Sequence, residues 1–220
     1  VVKVTDSRKA LGDIAAAFYH NPSASMFCIG VTGTKGKTTT TYLIKSVLDK
    51  AGMSCGIIGT LGCVSRNLTI PAKHTTPESS DIQEFLATMR ASEEKAVAME
   101  VSSHAIALQR IRGIDFDLGV FTNIGHDHLD FHGSFSSYLA TKASFFENLA
   151  AESVSHGKSN KTKISIINVD DPNSDFILSK VPTGIITYGI SNGSAQITAK
   201  ELRLYGKDTS FTAHTPQGNF

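Results

Sequence analysis

Met26-Phe27-Cys28-Ile29-Gly30-Val31-Thr32-Gly33-Thr34-Lys35-Gly36-Lys37-Thr38-Thr39 is the stretch that decides how this chain is read. Met26 to Val31 is an apolar run of strand length, and Thr38 to Lys50 reads as a helix closed by Gly52. Strand, glycine-bearing loop and helix, in that order, build a phosphate site. Glycine lets the backbone bend so that several N–H groups face one anion. The helix N-terminus adds its unpaired N–H groups and positive dipole end. Lys37 stands where it reaches β- and γ-phosphates, and the Thr38 hydroxyl where it holds magnesium. One position departs from the general pattern G-x-x-x-x-G-K-[ST]: Val31 stands where glycine is expected, and Gly30 lies one residue early. Set between an apolar strand and a long helix, the loop is still read as a nucleoside triphosphate site.

The 220 residues are long enough for one large core, and 40% hydrophobic with 19% charged residues is ordinary for a globular protein. A net charge of +1 gives no electrostatic case for nucleic acid or a membrane surface. No apolar stretch approaches the roughly 20 residues of a membrane span, and no signal peptide opens the chain. Cys28, Cys55 and Cys63 show neither metal spacing nor a disulfide framework. A cytoplasmic protein is expected.

The first 19 residues read as a short strand and then a helix, Ala10 to Tyr19, with Leu11, Ile14, Ala15 and Phe18 at helical spacing. Ser54 to Thr69 is glycine-dotted and strand-like, with a hairpin. Thr76-Pro77-Glu78 reads as a helix start, with Thr76 as cap and proline at the first helical position, for a helix to about Ser92. Strands follow at Ala96–Val101, Asp117–Phe121, Ile164–Asn168 and Ile185–Ile190, with a helix from Phe135 to about Leu149. Ala150 to Lys163 reads as a solvated loop. From Gln196 the pattern alternates through Leu202, Leu204, a Gly206-Lys207-Asp208 turn and Phe211. The expected fold class is α/β: a mostly parallel sheet flanked by helices, with a small antiparallel subsheet near the C-terminus.

Ligands of such sheets bind beyond the carboxyl ends of the strands. The loop at 33–39, Glu100, Asn123 to His128, and Asn168 to Asp171 all fall at predicted strand ends, which asks for one crevice. Glu100 ends an otherwise apolar strand and is read as a magnesium ligand. Within Asn123 to His132 lie three of the eight histidines and two aspartates. That density allows zinc, a plain polar loop, or a hard-cation site shared with nucleotide phosphates. Ser102-Ser103-His104 lacks the G-x-S-x-G setting of a serine nucleophile. Lys142 lies inside a helix, four residues after Tyr138, where a lysine is ordinarily solvated.

Taken together, Thr32 to Thr39, His74-Thr75-Thr76-Pro77, Met99 to His104, Thr122 to Gly133 and Lys142 resemble the Mur ligase family. They resemble most closely its branch that extends a UDP-N-acetylmuramoyl dipeptide with a diamino acid in peptidoglycan synthesis. The resemblance implies an ATP-dependent, ADP-forming amide ligase. A substrate carboxylate attacks the γ-phosphate of ATP, and the resulting acyl phosphate is captured by the amine of meso-diaminopimelate or L-lysine. It also implies an organisation: residues 1–25 as the tail and linker of an N-terminal UDP-binding domain, and 26–220 as a central ATP-binding domain incomplete at its C-terminus. The C-terminal amino-acid-binding domain is absent from this sequence.

Residue by residue, the resemblance implies that Gly33, Thr34, Lys35, Gly36, Lys37, Thr38, Thr39 and Asn123 hold ATP. Thr38, Glu100, His128 and Lys142 serve magnesium, and Lys37, His128 and Lys142 act in catalysis. Lys142 does so as a carbamate, N6-carboxylysine, formed with carbon dioxide. Thr75, Thr76, Ser102 and Arg110 hold the UDP-MurNAc-dipeptide. The implied partners are ATP, that nucleotide-sugar peptide and the diamino acid, acting on a monomer, with neither nucleic acid nor membrane. Lys35 stands where relatives commonly carry asparagine, and Leu108 where some offer a glutamine to substrate. Two other readings stay open: another ligase of the family, of the folylpolyglutamate synthase kind, or a nucleotide-binding module without chemistry.

Overall fold

The structure is a computed structural model that describes residues 3–151, 163–182, 184–206 and 208–220. In chain order, helix α1 (Ser7–Phe18) leads through a short 3-10 turn (Pro22–Ser25) into β1 (Phe27–Thr32) and α2 (Lys37–Lys50). A meander follows, β2 (Cys55–Gly59), β3 (Gly62–Val64) and β4 (Thr69–Ile70), then α3 (Ser79–Ala91), β5 (Ala96–Glu100) and α4 (Ser103–Ala107). The second half holds β6 (Leu118–Phe121), α5 (Leu129–His132), α6 (Phe135–Ala151), β7 (Ile164–Asn168), α7 (Ser174–Leu178) and β8 (Ile185–Gly189). It ends with β9 (Ile197–Tyr205), β10 (Asp208–Thr215) and β11 (Gly218–Asn219).

These strands form one sheet in the order β11-β10-β9-β8-β7-β6-β1-β5-β2-β3-β4. Its centre, β2-β5-β1-β6-β7-β8, is parallel, and β8 pairs parallel to β9. Only the margins are antiparallel: β2-β3-β4 on one side, β9-β10-β11 on the other. The expected α/β class holds, and the terminal subsheet is continuous with the parallel one. No helix among the described residues is long and apolar enough to cross a membrane.

The central strands are apolar on both faces because both are covered. On β1, Ile29 and Val31 face Ile44 and Leu48 of α2, while Cys28 joins the larger core on the other side with Phe145 and Phe146 of α6. Gly30 is explained here. A Cβ on it would lie 2.5 Å from Cζ of Phe145, so the early glycine serves aromatic packing and not the phosphate loop. Gly119 plays the same part for Phe146, at 3.0 Å. Val31, fully buried, belongs to the strand core.

Several local expectations are corrected. No strand precedes α1 among residues 3–6, and the helix starts at Ser7, where the Asp6 carboxylate caps Arg8 N and Lys9 N. The helix buries Gly12, Ala15 and Ala16, leaving Leu11, Ile14 and Phe18 exposed. Close docking selects its small residues: a Cβ on Gly12 would meet Arg112 Cβ at 2.6 Å. Helix α3 begins at Ser79, because the Thr76 hydroxyl bonds Glu100 O (2.8 Å) and not the helix. Of the expected loop at 150–163, residues 152–162 lie outside the described residues, as does Lys207 of the expected turn.

Lys163, at the end of that stretch, is buried. Its ammonium pairs with Asp115 and donates to Phe116 O at 2.6 Å. Removing one partner of a buried pair leaves the other's desolvation uncompensated, at about 3–5 kcal/mol. Lys163→Met is therefore expected to lower the unfolding free energy measured in urea by that order, and a Lys163→Met/Asp115→Leu double variant to recover most of the loss.

Candidate active site

Strands β1, β5, β6 and β7 run parallel, so their carboxyl ends share one edge of the sheet. The loop after β1 carries Gly33 to Gly36, β5 ends in Glu100, and β6 and β7 open into Asn123–His128 and Val169–Asn173. The four polar segments expected at strand ends do lie along one edge of the sheet.

Gly36 caps α2 at φ +83, a left-handed conformation that an L side chain resists, with open space where a Cβ would project. The loop is closed against the segment after β6. Thr34 N donates to Asn123 O (2.8 Å) and Lys35 N to Asn123 Oδ1 (3.0 Å). Asn123 Nδ2 donates back to Lys35 O (3.0 Å), which also accepts from Thr122 Oγ1 (2.8 Å). The amide of Asn123 thus clamps the loop. Lys35 takes part through its backbone while its side chain is exposed, which explains why the loop accepts a residue other than asparagine there. Gly125 N donates to Thr34 Oγ1 (3.0 Å), which pairs with Tyr138 OH (3.0 Å).

At the start of α2, Thr38 Oγ1 donates to Glu100 Oε1 at 2.9 Å. Glu100 is 1% exposed. Its other bonds come from Thr60 N (2.8 Å) and Thr60 Oγ1 (3.1 Å); among the described residues its hydrogen bonds come from hydroxyl and amide groups, and the charge of Lys37 acts on it from beyond hydrogen-bond range. Two hard oxygen donors side by side suit magnesium, which keeps several waters and takes substrate phosphates as further ligands. No group of three His, Cys, Asp or Glu among the described residues could hold a metal, and the zinc reading finds no support. Thr39 is exposed beside them.

Two lysines converge on one carbonyl. Lys37 Nζ donates to Gly33 O (2.9 Å) and Thr34 O (3.0 Å), and Lys142 Nζ donates to Gly33 O (2.9 Å). Contrary to the expectation for a helix lysine, Lys142 is 1% exposed, over the ring of Tyr138 one helical turn earlier (4.8 Å). Burial, and then the charge of Lys37, push its pKa down to about 7, against the opposing pull of Asp127. Lys37 is also lowered by burial, while Glu100 and Asp127 pull it upward.

The histidines stack on one another. His104 meets His128 edge-on (4.7 Å between centroids) and lies 5.8 Å from His132, with Tyr138 5.2 Å beyond. Burial lowers the pKa of both His104 and His132. His128, at φ +51, faces Asp127 at 3.5 Å and makes no hydrogen bond to Thr38, Glu100 or Lys142 among the described residues. Ser103 Oγ lies 3.0 Å from His132 Nε2, but among the described residues no carboxylate is hydrogen-bonded to that imidazole to complete a triad.

A second corner adjoins the first. Thr76 Oγ1 accepts from Ser102 N (3.1 Å), and Arg110 Nη1 donates to Thr76 O (3.1 Å). Arg110 Nη2 pairs with Glu78 at 2.8 Å. Thr60 Oγ1, whose proton goes to Glu100, accepts from Thr75 Oγ1 (3.1 Å) and so links this corner to Glu100.

The Mur ligase middle domain, as a family model, matches residues 31–220. The chain belongs to the Mur ligase family. It is 41% identical over 203 residues to the UDP-N-acetylmuramoyl-L-alanyl-D-glutamate--2,6-diaminopimelate ligase of Caldanaerobacter subterraneus, covering 92% of this chain and 39% of the relative. The ligase of the same name from Geobacter metallireducens is 40% identical over 217 residues, 99% of this chain and 42% of its own length. A solved structure of a 2,6-diaminopimelate ligase superposes over the whole chain and 44% of its own with a TM-score of 0.85 at 26% identity. The chain thus spans about two-fifths of the curated relatives it matches.

For this Mur ligase domain, sequence reasoning missed Thr60, which bonds Glu100 through both its backbone and its hydroxyl. Its signal was positional: it follows the apolar run Cys55–Gly59, which pairs parallel with β5. Tyr138, whose ring lies under Lys142 while its hydroxyl holds Thr34, was noted only as a neighbour.

Proposed function

We propose that this chain is the nucleotide-activating domain of an ATP-dependent ligase that adds meso-diaminopimelate or L-lysine to UDP-MurNAc-L-Ala-D-Glu. The whole protein acts as a cytoplasmic monomer in peptidoglycan synthesis. Residues 26–220 form the central domain, 1–25 belong to the linker and tail of a UDP-binding domain, and the amino-acid pocket is carried elsewhere in the protein. The observation that carries the reading is the contact of Thr38 with the buried Glu100 at the mouth of the phosphate loop.

Two anions must meet in this reaction, the substrate carboxylate and the γ-phosphate. Gly33 to Thr39 wrap the triphosphate, with the backbone N–H groups at the start of α2 facing it while those of Thr34 and Lys35 stay on Asn123, and Lys37 swings from Gly33 O and Thr34 O to the phosphates. Thr38 and Glu100, with His128, would hold magnesium, which neutralises charge between the reacting anions. Lys142 would complete that set as a carbamate. Its amine attacks carbon dioxide through the nitrogen lone pair, a C=O bond opens onto oxygen, and the nitrogen sheds a proton. Its low pKa supports this, since only the neutral amine is a nucleophile. The product is an anion beside Lys37, so repulsion becomes attraction. Thr75, Thr76, Ser102 and Arg110 hold the nucleotide-sugar peptide, Arg110 suiting a diphosphate through its bidentate fork.

The test is acceptor-stimulated phosphate release by the whole protein. Release is expected only when ATP, UDP-MurNAc-L-Ala-D-Glu and a diamino acid are all present. ADP formation indifferent to the muropeptide, or stimulated instead by a folate, would overturn the reading.

A further inference from the structure

The clamp on the phosphate loop is itself held from behind. Residues 121–124 are tied to the strands on their far side by three side chains. Tyr188 OH donates to Phe121 O (3.2 Å), Asn168 Nδ2 donates to Thr122 O (2.8 Å), and Asp171 Oδ2 accepts from Ile124 N at 2.7 Å. Asp171 is 7% exposed. Its other oxygen accepts from Asn173 N (2.8 Å) and Asn173 Nδ2 (3.2 Å). A buried carboxylate whose partners are N–H groups carries a desolvation cost, offset by charge-assisted bonds that are short and strong. The shortest of them, at 2.7 Å, fixes the peptide that follows Asn123, and Asn123 fixes Thr34 and Lys35.

We propose that Asp171 is a positioning residue for nucleotide binding: it locks the Ile124 peptide so that Asn123 holds the phosphate loop in its anion-binding shape. The nucleotide part rests on the function proposed above; the loop part does not. Without the Ile124 tether, Asn123 can rotate with its peptide. The backbone N–H groups of Thr34 and Lys35 then lose their fixed acceptors, and the loop must be ordered when nucleotide arrives.

The experiment uses the whole protein with Asp171→Asn and, for comparison, Asp170→Asn. Asp170 carries a similar load of backbone bonds, to Ile190, Ser191 and Asn192, but none to residues 121–125. Asp171→Asn is expected to speed amide exchange at Thr34 and Lys35 at least tenfold and to raise the KM for ATP about tenfold, ~1.4 kcal/mol. It should change kcat and the KM for the nucleotide-sugar peptide less than twofold, and Asp170→Asn should leave the loop amides unmoved. Unchanged exchange at Thr34 and Lys35 overturns the positioning role whatever the protein ligates. Faster exchange with an unaltered KM for ATP, or an equal rise for both substrates, overturns the nucleotide role. A wild-type protein that binds no ATP sinks the function reading, and the exchange result still decides the loop part.

Discussion

Glu100→Gln is expected to lower kcat/KM of the whole protein about a thousandfold, roughly 4 kcal/mol of transition-state stabilisation. The substitution keeps the shape of the side chain and an oxygen for Thr60 N and Thr38 Oγ1, but removes the charge. Titrating magnesium should show a half-saturation shifted well upward, with partial recovery at high concentration. Stability is expected to move the other way. Glu100 is a buried carboxylate hydrogen-bonded by hydroxyl and amide donors, so the ligand-free variant should melt at or above the wild-type temperature. A site that sacrifices stability for function behaves in this manner. Unchanged activity and magnesium dependence would remove Glu100 from the metal site.

Lys142→Ala is expected to be comparably severe, with partial restoration by bicarbonate. The lysine is buried, and its pKa near 7 sets the sign of the pH effect. At fixed dissolved carbon dioxide, carbamate occupancy should rise as pH passes upward through about 7, because deprotonation exposes the nucleophilic lone pair. Intact-protein mass measured without acid quench should show one added carboxyl group on the wild type and none on Lys142→Ala. Full activity with an unmodified Lys142 would eliminate the carbamate. Lys142→Arg is a sharper control: it keeps a cation, cannot be carbamylated in this manner, and should be as inactive as alanine.

Most of the frame was legible in the sequence. Ala96–Glu100 announced itself because a strand buried on both faces is a near-continuous apolar run, and Ile164–Asn168 was marked by its three isoleucines although only alternate positions are buried. The loop from Gly33 to Thr38 was legible because glycine and lysine leave few alternatives between a strand and a helix. Helices α4, α5 and α7 escaped, since four or five residues hold too little periodicity to register. The burial of Lys163 escaped too, because its partner Asp115 lies 48 positions earlier. The buried face of α1 was misread: spacing marks which residues are apolar, whereas close docking rewards the smallest, here Gly12, Ala15 and Ala16.

By itself the sequence determined what is local: the apolar strands, the helix after the phosphate loop, the residue types able to bind phosphate and metal, and the family they resemble. Only the tertiary structure decided which groups meet. Thr38 and Glu100 are 62 residues apart, and Lys142 and Gly33 are 109 apart. They converge because parallel pairing brings strand ends to one edge and α6 packs its aromatics over Gly30 and Gly119. That packing also strips water from Lys142. A lysine's chemistry depends on its solvation, which is a property of the assembled site and not of the residue.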